Sequence, residues 1–422
     1  MKQLLTLGLW LAILTSSQLH AATGQDELAE LKASMLTILA RIEALEAENR
    51  TLKANTAIPV ASADMAGANA VAPRRSSESK ASWADKIALK GDLRYRYEGF
   101  NVEGSKDRSR NRVRARLQIN AEVADDVSAT FRLATGAADP VSANQTLGDG
   151  ASAKNVSFDM AYITWNITPE LELLAGKYKN NLYKPNGSQL LWDDDYNPEG
   201  MALVWTNDKF FANAAYQWLE SDSRTNNDLG IFSVQGGFDT DLGDSNLRAG
   251  IGYYGLGAKG YGTFFGDPDD FFGNSFNCAN AATLSGCVYT QDYNLTHVFA
   301  LWSGSAGDLP LTLFAEAVNN SGADDLNKAW SVGGTIGEAS TWNTWEFIYQ
   351  YQDLEQDAAF ALHTGSNFGG GGTGSSGHII EAAMGVKKGW TLSLTYFLNE
   401  NNIIGGPDRG YDRVQLDSQF KF

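Results

Sequence analysis

Arg112, Arg114 and Arg116 stand at every second position of the run RSRNRVRARLQINAEV over residues 108–123. Lys90, Arg94 and Arg96 precede them and Arg132 follows. Rows of guanidinium and ammonium groups attract anions and bind carboxylate or phosphate oxygens. The intervening positions, Val113, Ala115, Leu117, Ile119, Ala121 and Val123, are all apolar, and period two is the signature of a β-strand. In a water-soluble sandwich the apolar face would be the core and the arginines would be solvated. The inverse arrangement puts the apolar face against lipid and the arginines in a wet lumen. Similar alternating segments of roughly ten residues recur to the last residue of the chain, which favours the inverse.

The remaining candidates for chemistry are weaker. Asp193, Asp194, Asp195 and Glu199 sit in WDDDYNPEG. Carboxylate oxygens suit calcium, but three consecutive aspartates on an extended loop do not point one way, so no metal site is expected there or in GDPDDF at 266–271. Gly255, Gly257 and Gly260 spell GxGxxG with no dinucleotide-binding helix after them, so no cofactor is expected. His297, His363 and His378 fall in unrelated segments and no G-x-S-x-G elbow occurs, which argues against an enzyme. Cys278 and Cys287, nine apart in a Gly/Asn-rich loop, are expected to close a disulfide. The quartet of glycines at 369–372 reads as flexible surface loop.

The elements that would position the basic residues follow from the turns. Tight turns are expected at 124–126, near Pro169, at 207–208, 241–244, 307–309, 338–340 and 387–389. Seven short turns alternating with eight longer loops give sixteen antiparallel strands over 83–422, with both barrel ends on one side. Lys90, Arg94 and Arg96, then Arg112, Arg114 and Arg116, then Arg132 come from three consecutive strands and so form one positive wall. Asp92, Glu122 and Asp159 are available to offset it. Aromatic residues such as Trp345, Phe347, Tyr349 and Tyr351 mark strand ends, as interfacial girdles do.

Ahead of the strands the pattern changes. Residues 1–21 read as a signal peptide, because Lys2 precedes an apolar run of about 11 residues, too short to span a bilayer. Residues 26–53 place Leu28, Leu31, Met35, Ile38, Ile42, Leu45, Asn49 and Leu52 at heptad a and d positions. Glu27 with Lys32 and Arg41 with Glu46 flank that seam, so a self-associating, trimer-leaning coiled coil is expected. Residues 54–82, rich in Ala, Ser, Gly and Pro, read as a linker. The net formal charge of -17 argues against nucleic acid as a partner.

The segments RNRVRARLQINAEV, FRLATGAADPVSANQTLGD, FDMAYITW, LLAGKY and LLWDDDYNPEG together resemble the bacterial putative porin family, with a more distant similarity to phosphate-selective porins. That resemblance implies a sixteen-stranded outer-membrane β-barrel in a Gram-negative cell. It also implies a homotrimer embedded in outer-membrane lipid, passing small hydrophilic solutes or ions passively, and does not fix the solute. The basic wall itself reads either as an anion-attracting ladder or, set against the acidic Asp193, Asp194, Asp195 and Glu199, as a transverse field with weak charge preference. It further implies that the third loop, carrying Asp193, Asp194, Asp195 and Glu199, narrows the channel. The competing expectation is a structural tether, with the coiled coil in the periplasm contacting the cell wall and the lumen blocked.

Overall fold

Alternation that reaches neighbouring strands through their backbone groups builds one closed sheet. In the computed structural model, which describes residues 83–221, 228–402 and 408–422, sixteen antiparallel strands follow one another around a barrel. They are β1 (Ile87–Val102), β2 (Arg108–Ala124), β3 (Val127–Thr135), β4 (Val156–Thr168), β5 (Leu171–Lys177), β6 (Glu199–Thr206), β7 (Phe210–Glu220) and β8 (Leu229–Leu242). Then come β9 (Ser245–Leu256), β10 (Tyr293–Ala306), β11 (Leu309–Asn320), β12 (Lys328–Gly337), β13 (Trp345–Leu354), β14 (Ser375–Lys387), β15 (Trp390–Asn402) and β16 (Asp408–Lys421). Each strand pairs with the next, and β1 pairs with both β2 and β16, so no edge is left open. Closure is what lets strands cross a bilayer, since every ladder N–H and C=O is paired inside the sheet.

Short turns at 125–126, 169–170, 207–209, 243–244, 307–308 and 388–389 gather at one rim. The connection from β12 to β13 is longer than expected: it runs over 338–344, with Asn343 at φ 63°. The signal peptide, coiled coil and linker expected over 1–82 lie outside the described residues.

Side chains face as the inverse arrangement requires. On β1, Leu93, Tyr95 and Tyr97 are exposed on the outer surface while Arg96 and Glu98 are buried inside. Leu117 on β2, Phe131 on β3, Met201 and Leu203 on β6 and Phe347 and Tyr349 on β13 continue the outward apolar belt. No helix among the described residues is long and apolar enough to cross a membrane, so any crossing is by strands.

The apolar core is made by loops packed against inward-facing strand residues. Loop L3 (178–198), loop L5 (257–292) and loop L7 (355–374) bring Leu190, Trp192, Phe271, Tyr289 and Phe360 together against Ile231, Tyr254 and Val318 of the wall. Each such side chain, fully buried, contributes about 1.5–3 kcal/mol. Cys278 and Cys287 are bonded, closing a hairpin of Phe276–Asn280 with Ser285–Tyr289 within L5. The glycine quartet is not a flexible surface loop, which corrects the reading from sequence. Gly369 and Gly372 are buried, and a Cβ on Gly372 would lie 1.8 Å from the Phe272 carbonyl oxygen. Its φ of +80° and that close approach require glycine there.

Candidate functional site

The β1–β2 register sets Arg94 opposite Arg114 and Arg96 opposite Arg112, while Asp92 faces Arg116 and Glu98 faces Arg110. Like charges directly across a ladder repel, so the row holds only if carboxylates are interleaved. They are. Asp92 accepts from Arg114 Nη2 at 3.1 Å and from Arg116 Nε at 2.7 Å. Glu98, fully buried, accepts from Arg110 and Arg413 and from Gln415 Nε2 at 3.1 Å. Asp417 of β16 takes Arg96 in a two-point pair, and Asp159 of β4 takes Arg132. The expected positive wall is therefore a lattice of alternating signs.

L3 completes it by crossing the lumen. Its outward limb is held to the wall where the Tyr183 amide donates to Gln235 Oε1 at 2.7 Å, and Arg248 lies 4.8 Å from the Tyr183 ring centre. At the far end Asn186 bonds Thr312 and Thr335, at 3.0 and 3.1 Å. The returning limb bears the three aspartates, which point three ways. Asp193 turns into L7 and accepts from the Ser366 amide at 2.7 Å and the Asp195 amide at 2.8 Å. Burial, with Asp195 adjacent, pushes its carboxyl up to about 6. Asp194 pairs with Lys184 and accepts from Gln189 Nε2 at 3.1 Å. Asp195 reaches Arg114 Nη1 at 3.3 Å and Arg116 Nη1 at 3.2 Å. Burial alone would raise the Asp195 carboxyl, but the two guanidiniums outweigh it and hold it below its ordinary value. Glu199 opens β6 instead and pairs with Lys177 at 2.9 Å, away from the arginines.

A cavity of about 580 Å³ lies between this limb, L7 and the wall formed by β13 to β16, β1 and β2. It extends from Gln419 and Lys421 toward the short-turn rim to Gln352 and Phe368 at loop level. Four of the seven expected basic residues line it, Arg94, Arg96, Arg114 and Arg116. Arg112 is instead tied to loop L2 (136–155) through Ser142 Oγ at 3.3 Å and the Asn144 carbonyl at 3.1 Å. Lys90 is exposed beside Lys421 and Phe422 in a recess at the short-turn rim. Formal charges on the lining nearly cancel, with Lys179 and Lys421 joining the four arginines against Asp193, Asp194, Asp195, Glu381 and Asp417.

Spacing alone did not reveal Glu98, Arg110, Arg413 and Asp417 as partners. Arg110 lies on the same strand face as Arg112, and Arg413 and Asp417 alternate on the polar face of β16. What joins them is the β1–β16 seam, which pairs Arg96 with Asp417 and Glu98 with Gln415. The histidines remain apart. His297 Nε2 lies 2.9 Å from Glu316, buried below L3; His363 stacks on Tyr196 at 4.0 Å in L7; His378 Nδ1 meets Tyr349 Oη at 3.0 Å. Burial pushes the His363 ring down to about 3, so it is neutral at ordinary pH. Among the described residues no three His, Cys, Asp or Glu side chains form a metal-sized group.

A closed sixteen-stranded barrel, apolar outside and charged within, with an inner loop bordering a polar cavity, is an outer-membrane barrel of porin type. The family model described as Putative porin matches residues 101–257 and 304–422, and the chain belongs to that family. Among solved structures it is similar to the high-pH structure of Pseudomonas putida OprB, with a TM-score of 0.53 at 13% identity, covering 80% of this chain and 95% of that one. A loop L8 deletion mutant of OmpT, an outer membrane protein of Vibrio cholerae, scores 0.47 at 12% identity, covering 80% of this chain and 100% of that one. A triple mutant of the Rhodopseudomonas blastica porin gives 0.47 at 12% identity with the same coverages. No curated protein matches the chain. The OprB likeness bears on the fold alone.

Proposed function

We propose that the chain is a passive pore of a Gram-negative outer membrane, letting small hydrophilic solutes and ions through the gap between the L3 limb and the wall of β13 to β16, β1 and β2. The observation that carries this reading is the polar cavity bounded by Arg94, Arg114, Asp195 and Gln350 inside a barrel whose outer face is apolar. Nearly balanced charge on its lining favours weak discrimination, tilted toward anions by one excess cation. The lining offers hydrogen bonds and a transverse field to ordered water, and no turnover or cofactor enters the proposal. The proposal includes a signal peptide over 1–21, a periplasmic coiled coil over 26–53 that favours a homotrimer, and a linker over 54–82. These rest on the sequence pattern.

A second reading has a specific observation in its favour. The loops L3, L5 and L7 pack together in one apolar cluster against the inner wall, as the plug of a tether with little conductance would. Liposome swelling separates the two. Vesicles carrying the purified protein should swell in a neutral sugar, with rates falling steeply as the sugar grows. Vesicles that swell no faster than protein-free ones would support the tether.

A further inference from the structure

We propose that Arg94 is the residue through which this pore favours anions, acting as a transit site for a small oxyanion, a carboxylate or a phosphate. The inference rests on the porin reading and narrows the positive wall to one side chain. Of the four arginines lining the cavity, three are neutralised: Arg96 by Asp417, and Arg114 and Arg116 by Asp92 and Asp195. Arg94 has no carboxylate partner among the described residues. Within those residues its hydrogen bond runs from Nη2 to Asn144 Oδ1 of L2 at 2.7 Å. Its Nε is buried with no acceptor, and the residue opposite it in the β1–β2 register is another arginine, Arg114.

A guanidinium taken out of bulk water without a counter-charge is costly, and the cost is offset when an anion arrives from solution. The planar fork of arginine, with Nη1 unbonded, suits an oxyanion better than a spherical ion. Lys179 on L3 lines the same cavity and forms no ion pair among the described residues, so a passing anion meets a cation on the wall and another on the loop. Neutral Asn144 matters as much as Arg94 itself. It holds the guanidinium in place without cancelling its charge.

The test is reversal potential across planar bilayers in a steep gradient of potassium chloride, with potassium acetate or inorganic phosphate added in separate arms. In R94Q the ratio of chloride to potassium permeability should fall about threefold, the effect of deleting one partly screened charge from the narrow zone. N144D places a carboxylate on the same guanidinium from a loop, with the barrel wall intact, and should shift the ratio the same way. Acetate or phosphate should reduce chloride current in the unaltered protein and lose that effect in R94Q; the arm with the stronger block identifies the source. Unchanged ratios in both variants would overturn the inference and leave the porin reading standing. Chloride currents indifferent to both oxyanions would overturn the oxyanion assignment. Bilayers without any channel activity from the unaltered protein would instead overturn the porin reading.

Discussion

Arg96 and Asp417, 321 residues apart in sequence, meet across the barrel seam with Nε to Oδ1 at 2.6 Å and Nη2 to Oδ2 at 2.5 Å. Both are largely shielded from solvent, and Asp417 is the nearer of two carboxylates on Arg96, Glu98 lying 3.6 Å from Nη1. Removing one partner leaves the other's buried charge poorly compensated, at a cost approaching the ~3–5 kcal/mol of a broken buried pair. Asp417→Asn or Arg96→Gln should therefore lower the temperature at which the protein loses its compact mobility in a detergent gel. Full thermal resistance in both variants would show that the seam does not depend on this pair.

Orientation of the strands predicts an asymmetry between neighbours. Leu117 is 41% exposed on the outer face, whereas Gln118 points inward and donates to Asn120 at 2.9 Å. An arginine at the bilayer midplane on the lipid face costs about 2–4 kcal/mol. Leu117→Arg should reduce the urea concentration needed for unfolding from lipid vesicles, while Gln118→Arg should change it far less. Equal losses at both positions would contradict the assigned faces.

Asp195 cancels charge on two cavity-lining arginines at once. Asp195→Asn should leave Arg114 and Arg116 sharing Asp92 alone and raise anion preference, as should changing Asp193, Asp194 and Asp195 together to asparagine. Asp193→Asn alone should leave it nearly unchanged, because Asp193 faces L7 rather than the guanidiniums. Reversal potentials in a salt gradient read this directly; no shift in the triple variant would remove L3 from the constriction.

The joint between L3 and L7 should tighten in acid. The Asp193 carboxyl is raised to about 6 by burial and by Asp195, so the folded joint holds that proton more firmly than the unfolded chain does. Its favourable contribution is complete below the ordinary carboxylate range and is lost as pH rises through about 6. The other titratable groups at the joint are Asp195, held low by the arginines, and His363, pushed down to about 3 and so neutral throughout this window. Protease cutting within L3 and L7 should slow between roughly pH 8 and pH 5, and Asp193→Asn should flatten that dependence. Faster cutting on acidification would contradict the sign.

Strand alternation and turn chemistry are local, so the sixteen strands and the β2 and β3 boundaries were readable from Arg112, Val113 and their neighbours. Asp92 and Asp159 were also readable as counter-charges, being polar-face residues on neighbouring strands. The partners across the seam were not, because closure brings Arg96 to Asp417 with no trace in spacing. Nor was the apolar core inside the barrel. Its signals, LLW at 190–192, DFF at 270–272 and AAFAL at 358–362, lie in loops, where short apolar runs carry no period to show which way they fold. The same lack of period made buried Gly369 and Gly372 look like surface chain.

Single-channel current in a planar bilayer tests the central claim most directly. The purified protein, added at low concentration to a lipid bilayer in potassium chloride, should give discrete upward current steps of uniform size, linear in voltage and growing with salt concentration. A folded, membrane-inserted barrel that produces no steps at any salt concentration would contradict a water-filled lumen and leave the loops of L3, L5 and L7 as a plug.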